Sequence, residues 1–349
     1  MNRVEGVRIR GITACVPTDV RSNETDPRIL DTERAILIRT TGVRERRVAA
    51  LGVTTVDLCE QAAKTLINDL SITSASIDLL VLVTQSADYL LPASAFVLQQ
   101  RLGLPTHVLA FDISLGCSGY VYGLAVVSSM MKTLGLKRAL LLAGDISLAH
   151  CNPKDKSTYP LFGDAGSATL LERDDATAAM HFSVLSDGAN ADAIQVSHGG
   201  MRNPVSKESL VPRSFGEGIM RSPMQLSLNG GKVFNFASMQ VPLSLRKLIV
   251  EAAIPPESID YLVLHQANNL ISKTIEKRLS LPRARVPVSI DRFGNTSSAS
   301  IPLTMASELA KELTNGSSTM LLSGFGVGLS CANALVTATA MDVVKLIEV

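Results

Sequence analysis

Ser76-Ile77-Asp78-Leu79-Leu80-Val81-Leu82 returns 182 residues later as Ser258-Ile259-Asp260-Tyr261-Leu262-Val263-Leu264, and this restatement decides the fold. Each heptapeptide runs into a short continuous apolar stretch, the pattern of a strand buried on both faces. A second such strand follows each copy: Leu141-Leu142-Ala143-Gly144 in one case and Leu321-Leu322-Ser323-Gly324 in the other, at an offset of 180. Between them, Asp112 to Gly116 leads into an apolar helix, as Asp291 to Gly294 leads into residues 301–313. Three echoes in one order describe one unit used twice, with the division near residue 175. Around the first copy, strands are predicted at 79–84, 108–112 and 139–143, and helices near 94–102 and over 118–134. Strand alternating with helix implies a mainly parallel sheet with helices on its faces. The chain therefore reads as an α/β protein of two duplicated halves, residues 1–175 and 176–349. The N-terminal MNRVEGVRIRGITACVP alternates apolar and polar residues and reads as a first strand. Residues 199–222, rich in Gly, Pro, Ser and Arg, read as a long surface loop inserted in the second half, either a cover over a substrate entrance or an insertion without a role.

Composition narrows the partners. The chain has 349 residues, of which 46% are apolar and 19% charged, enough apolar surface to exclude overall disorder. Its 33 Lys and Arg balance 32 Asp and Glu, so no global field draws it to nucleic acid or an anionic membrane. Apolar runs such as Leu79 to Val83 fall far short of the roughly 20 residues of a membrane span. The N-terminus has no continuous hydrophobic stretch with a small-residue cleavage site, so no secretory leader is expected. Five scattered cysteines without a C-x-x-C pair suggest neither a disulfide framework nor a zinc site, and point to a reducing cytoplasm.

Three residues stand where strands turn into helices. Cys117, in Leu115-Gly116-Cys117-Ser118-Gly119, precedes the apolar helix, whose N-terminal N–H groups are expected to lower the thiol pKa and activate a nucleophile. The other four cysteines read as small core residues. His265 follows the strand ending at Leu264, and Asn295 lies in Gly294-Asn295-Thr296-Ser297-Ser298. Turns of this kind gather at the carboxyl ends of parallel strands, so those of two matched halves can converge on one pocket. Taken singly, His265 also reads as a hydrogen-bonded core histidine and Asn295 as a turn residue or cap.

FDISLGCSGYVYG (111–123), LFGDAGSATLL (161–171), HQAN (265–268), GNTSSAS (294–300) and GFGVGL (324–329), with RTTGVRERRVA (39–49), occur in one order. In these motifs the sequence resembles the β-ketoacyl-acyl-carrier-protein synthase III family of thiolase-fold condensing enzymes. The resemblance implies a thiolase-like fold, two duplicated α/β halves forming a layered αβαβα sandwich. It implies that Cys117 takes an acyl group from acyl-coenzyme A or an acyl-carrier protein. His265 and Asn295 then assist a malonyl thioester, malonyl-acyl-carrier protein, in losing carbon dioxide, and a 3-oxoacyl thioester results. The backbone N–H groups of Cys117 and Val327 would form an oxyanion hole, and Leu91, Phe162 and Asn268 would contact substrate. Acyl carrier protein is the implied partner, a homodimer the implied assembly, and fatty acid synthesis the implied setting, with no metal or organic cofactor.

The sequence also departs from that pattern. Ile36 and His150 stand where the best-known members stack the coenzyme adenine between Trp and Arg, and the chain has no Trp. Asn235 and Leu270 occupy positions of basic contacts. Val327 replaces the middle residue of a Gly triplet, and Leu91, in a position often held by Phe, resembles the residue that crosses a dimer interface to close the acyl pocket. Other classes fit less well. Gly324-Phe-Gly326-Val-Gly328 lies too late and opens no βαβ unit for a dinucleotide, and Ser118 lacks a G-x-S-x-G frame because position 120 is Tyr. Transfer of the acyl group from Cys117 to an oxygen or nitrogen acceptor remains the alternative to carbon–carbon bond formation.

Overall fold

The computed structural model describes residues 2–280 and 285–349. The first heptapeptide enters β5 (Leu79–Val83), flanked in parallel by β6 (Leu109–Ile113) and β7 (Arg138–Asp145). β8 (Ala165–Arg173) runs antiparallel to β7, β2 (Val7–Val16) antiparallel to β8, and β17 (Val343–Glu348) parallel to β2, giving the order β17-β2-β8-β7-β5-β6. The second heptapeptide enters β14 (Tyr261–Leu264), beside which lie β15 (Ser318–Gly326), β16 (Ser330–Ala338), β9 (Met180–Ser186) and β1 (Asn2–Val4), in the order β1-β9-β16-β15-β14. Three short ribbons complete the strands among the described residues: β3 (Val20–Ser22) with β4 (Glu45–Arg47), β10 (Ile194–Gln195) with β13 (Ser227–Leu228), and β11 (Arg213–Ser214) with β12 (Met220–Arg221).

Strands that are apolar on both faces need helix on both faces. The outer face of the first sheet takes α2 (Thr55–Asp69) and α3 (Ser94–Arg101). The outer face of the second takes α5 (Gly230–Glu251) and α6 (Asn269–Leu279). Between the sheets, α4 (Gly119–Leu134) and α8 (Ser300–Glu308) share one core with Val81, Val83 and Leu141 on one side and Val263, Leu322 and Ala334 on the other. The result is the layered αβαβα sandwich, with α1 (Asp31–Thr41), α7 (Ile290–Phe293) and α9 (Ala310–Asn315) completing the α-helices among the described residues. α4 sits close on its sheet because Gly119 and Gly123 present no side chain to Val83; a Cβ at Gly123 would lie 2.8 Å from it. α2 is fixed at its start by a capping box, in which Asp57 accepts the Thr54 N–H at 2.9 Å and Thr54 accepts the Asp57 N–H.

Three expectations change. The single N-terminal strand is two strands, broken at Gly6, whose φ of 76° suits glycine; β1 joins the second sheet while β2 joins the first. The C-terminal β17 makes the reverse crossing, so each chain end closes the sheet of the other half. The repeat is also one residue out of step in its second strand. The Asp78 N–H binds the Arg138 carbonyl as the Asp260 N–H binds that of Thr319, which equates Leu142 with Ser323 and Asp145 with Gly326. A one-residue slip reverses every side chain on a strand, and the tetrapeptide likeness concealed it. Finally, residues 199–222 are tied down by β11 and β12 rather than left irregular. The Lys156 N–H binds the Gly218 carbonyl at 2.9 Å, the Met220 N–H binds that of Lys154 at 3.2 Å, and Arg221 pairs with buried Asp155 at 3.2 Å.

Candidate active site

β6 ends at Ile113, and the turn into α4 delivers Cys117 to the carboxyl ends of the parallel strands. The thiol is 7% exposed and stands against the last residues of β15. Only glycine fits there: a Cβ on Gly326, whose φ is 153°, would lie 2.9 Å from the Cys117 sulfur, and one on Gly324 would lie 2.8 Å from the Cys117 carbonyl. The backbone N–H groups of Val327 and of Cys117 itself, with the Ser297 hydroxyl, are directed at the sulfur. These donors favour the thiolate, but burial disfavours it more strongly and the Asp145 carboxylate adds to the effect. The thiol is pushed up to about 11, the reverse of the lowering expected from the helix N-terminus. Desolvation of a buried charge outweighs donors at the helix start.

His265 follows β14 and is 1% exposed, held by its N–H to the Ser323 carbonyl at 2.8 Å. Its ring meets Phe325 edge-on at 5.5 Å. Nδ1 is buried without a hydrogen-bond partner among the described residues. Burial lowers its pKa to about 3, so the imidazole is neutral at ordinary pH.

Asn295 is stitched across the halves. Its N–H binds the Leu161 carbonyl at 2.9 Å and its carbonyl accepts the Gly163 N–H at 3.0 Å. Its Oδ1 accepts the Ser297 N–H at 2.9 Å, which leaves the amide NH2 for the cavity.

These elements line a cavity of about 110 Å³ that opens to solvent. Cys117, His265, Asn295, Phe162, Asn268 and Val327 all line it. Asn268 is also the cap of α6, its Oδ1 accepting the Ile271 N–H at 2.8 Å. Leu91 is not brought to the cavity; it is 86% exposed in a loop with exposed Tyr89 and Leu90. Ile36 stands exposed on α1 and Leu270 on α6, whereas His150 lines the cavity. The side chain that joins the loop after β7 to α1 is Lys156, paired with Glu33 at 2.7 Å.

Sequence reasoning missed Asp145. Buried at the end of β7, it accepts bonds from Thr84 Oγ1 (3.1 Å), the Gln85 N–H (2.7 Å) and Ser86 Oγ (3.2 Å) on one oxygen. The other oxygen takes the N–H and hydroxyl of Ser298 at 3.2 and 2.8 Å. It thus clamps the turn after β5 to the loop that carries Asn295. A carboxylate ending a buried strand, in Gly144-Asp145, was the available signal. Ser297, left-handed at φ 50°, was also missed; nothing in its Ser-rich motif distinguishes it from Ser298.

Comparison with known proteins follows the same lines. Residues 111–188 match the family model described as 3-oxoacyl-[acyl-carrier-protein] synthase III, and residues 249–338 match its C-terminal counterpart. The chain is 34% identical to a β-ketoacyl-[acyl-carrier-protein] synthase III of a Roseiflexus species, over 93% of this chain and 96% of that protein. It is 32% identical to the protein of that name from Streptococcus mutans, over 92% and 96%. The crystal structure of a 3-oxoacyl-(acyl-carrier protein) synthase from Burkholderia xenovorans superposes with a TM-score of 0.93 at 38% identity, covering 100% of this chain and 98% of that one.

Proposed function

The chain belongs to the 3-oxoacyl-[acyl-carrier-protein] synthase III family, and on that premise we propose that it joins an acyl group to a malonyl-derived unit by decarboxylative condensation. The observation that carries this reading is the convergence of a buried thiol, a neutral imidazole and a carboxamide NH2 on one cavity. In the first step the Cys117 sulfur attacks the carbonyl of an acyl thioester. The carbonyl oxygen becomes an oxyanion between the N–H groups of Cys117 and Val327, the donor's C–S bond breaks, and the donor leaves as a thiol with the proton of Cys117. A thiol held near 11 gives up its proton during the attack rather than before it.

In the second step the carboxylate of a malonyl thioester departs as carbon dioxide. The electron pair left behind forms an enolate whose oxygen accepts bonds from His265 and Asn295. A neutral imidazole suits this role, since it donates a hydrogen bond without surrendering a proton. The enolate carbon attacks the acyl carbonyl, the bond to Cys117 breaks with its electron pair on the sulfur, which takes up a proton from water, and a 3-oxoacyl thioester leaves. Phe162 and Asn268 border the substrate.

The first donor is acyl-coenzyme A or acyl-carrier protein, and acyl carrier protein brings the malonyl unit. The enzyme is an acyltransferase of the cytoplasm, with units 1–175 and 176–349 each supplying part of one site. It works as a homodimer: β6 ends its sheet unpaired, α3 with exposed Phe96 packs on β6, and the loop before α3 exposes Tyr89, Leu90 and Leu91. In that dimer Leu91 reaches the acyl pocket of the partner.

The test is intact-protein mass after exposure to acyl thioesters, followed by malonyl-acyl-carrier protein. An adduct expected on the wild type and absent from Cys117→Ala, discharged with release of carbon dioxide, supports condensation. His265→Ala should keep the adduct and lose the carbon dioxide by a factor on the order of 100. Discharge only to a hydroxyl or amine would favour simple acyl transfer, and no adduct from any donor would remove Cys117 as nucleophile.

A further inference from the structure

The cavity is not uniformly apolar. Gln85 and Ser147, which the chemistry above does not use, line the same cavity as the thiol. Gln85 follows β5, and its main chain is fixed by the bond from its N–H to Asp145. Its Oε1 lies over the turn that carries the nucleophile: a Cβ on Gly116 would be 2.5 Å from it. Gln85 is exposed at the cavity mouth, and its carboxamide has no hydrogen bond to any described residue. Ser147, in the short turn after β7, is 9% exposed, and its hydroxyl is likewise without a partner among the described residues.

Polar groups without a protein partner that share a cavity with Phe162, Leu226 and Phe325 lose their water when hydrocarbon covers them, and that is costly. A purely alkyl chain lying here would desolvate both and pair neither. A chain carrying a carboxylate fits no better. No Lys or Arg is among the described residues that line the cavity, and the Asp145 carboxylate lies in its wall. What satisfies both constraints is a neutral group that donates and accepts.

We infer that the acyl group received by Cys117 bears a hydroxyl close to its thioester end, and that Gln85 and Ser147 select it by hydrogen bonding to that hydroxyl. This rests on Cys117 being the acyl acceptor. The site distinguishes substrates chiefly by what an unhydroxylated chain leaves unpaired, a mode of selection stronger than fitting one more methylene.

The experiment measures the rate of the Cys117 adduct by intact-protein mass with butyryl-, 3-hydroxybutyryl-, 4-hydroxybutyryl- and succinyl-coenzyme A. One of the hydroxylated thioesters is expected to react at least about tenfold faster than butyryl, and succinyl to be the slowest. Gln85→Leu and Ser147→Ala, separately and together, are expected to reduce that preference, the pair bringing it near one. Both are small changes near the surface or in a turn, and melting curves would establish that each variant is folded. Butyryl reacting as fast as both hydroxylated chains, or a preference unchanged in the double variant, would overturn the inference while leaving the nucleophile in place. Absence of an adduct from all four thioesters would overturn the inference together with the reading of Cys117 itself.

Discussion

Two strand ends of the first half can be laid on two of the second. Where β5 ends the first half has Val83, and at the matching place the second half has His265; where β7 ends it has Asp145, and the second half has Gly326. The backbones are equivalent and the chemistry is not. In the first half the ends became a fastening, with Asp145 accepting five bonds that join both halves. In the second they became an opening, with an imidazole beside a glycine that makes room for a sulfur from the other half. A duplicated fold offers two sets of strand ends, and this division of labour leaves the chain with one composite site.

Breaking the fastening should have the largest effect. Asp145→Ala takes the acceptor from the Gln85 and Ser298 N–H groups in a buried place and is expected to destabilise the protein by about 3 kcal/mol, read from urea unfolding. A variant as stable as the wild type would mean that this clamp adds nothing to the joint made by the core between the sheets. Filling the opening comes next. Gly326→Ala puts a methyl against the Cys117 sulfur at a backbone angle suited to glycine, and acyl-adduct formation should fall by about 100-fold in a protein that still folds. An unimpaired rate would remove the steric account of that position.

A smaller effect sharpens the contrast between the helices that follow. α6 has a side-chain cap in Asn268, whereas α4 begins at Ser118 without one. Asn268→Ala should cost about 1 kcal/mol in thermal or urea unfolding. The smallest effect concerns charge. Burial raises the Cys117 thiol, so the thiolate fraction grows as pH rises toward about 11, and alkylation of this residue by iodoacetamide should climb about tenfold per unit below that value. Asp145 contributes to the raised value, so Asp145→Asn should shift the profile to lower pH and speed alkylation at pH 8 by about twofold to threefold. A profile unmoved by the substitution would uncouple the two strand ends electrostatically.

Much of the arrangement was legible along the chain. The strands at 79–83, 109–113 and 138–145 and the helices at 94–101 and 119–134 fall within a few residues of their expected places, because continuous apolar runs and helical periodicity are local signals. Cys117, His265 and Asn295 were legible through their motifs at strand-to-helix turns. The splitting of the N-terminal strand was less visible, since alternation continues across Gly6 and only the destination of each piece differs. The slip between Leu142 and Ser323 could not be read, because apolar strands match one another in more than one register.

The sequence by itself determined that the protein is a duplicated α/β sandwich and which three side chains are candidates for its chemistry, since both follow from patterns a few residues long. Tertiary structure alone decided what surrounds them. It placed Asp145 across the halves, set Gly326 against the sulfur, kept Leu91 off the cavity of its own chain, and raised the thiol that a helix start was expected to lower. Each of these depends on burial and on contacts between residues far apart in the chain, and desolvation is a property of the assembled interior that no short stretch contains.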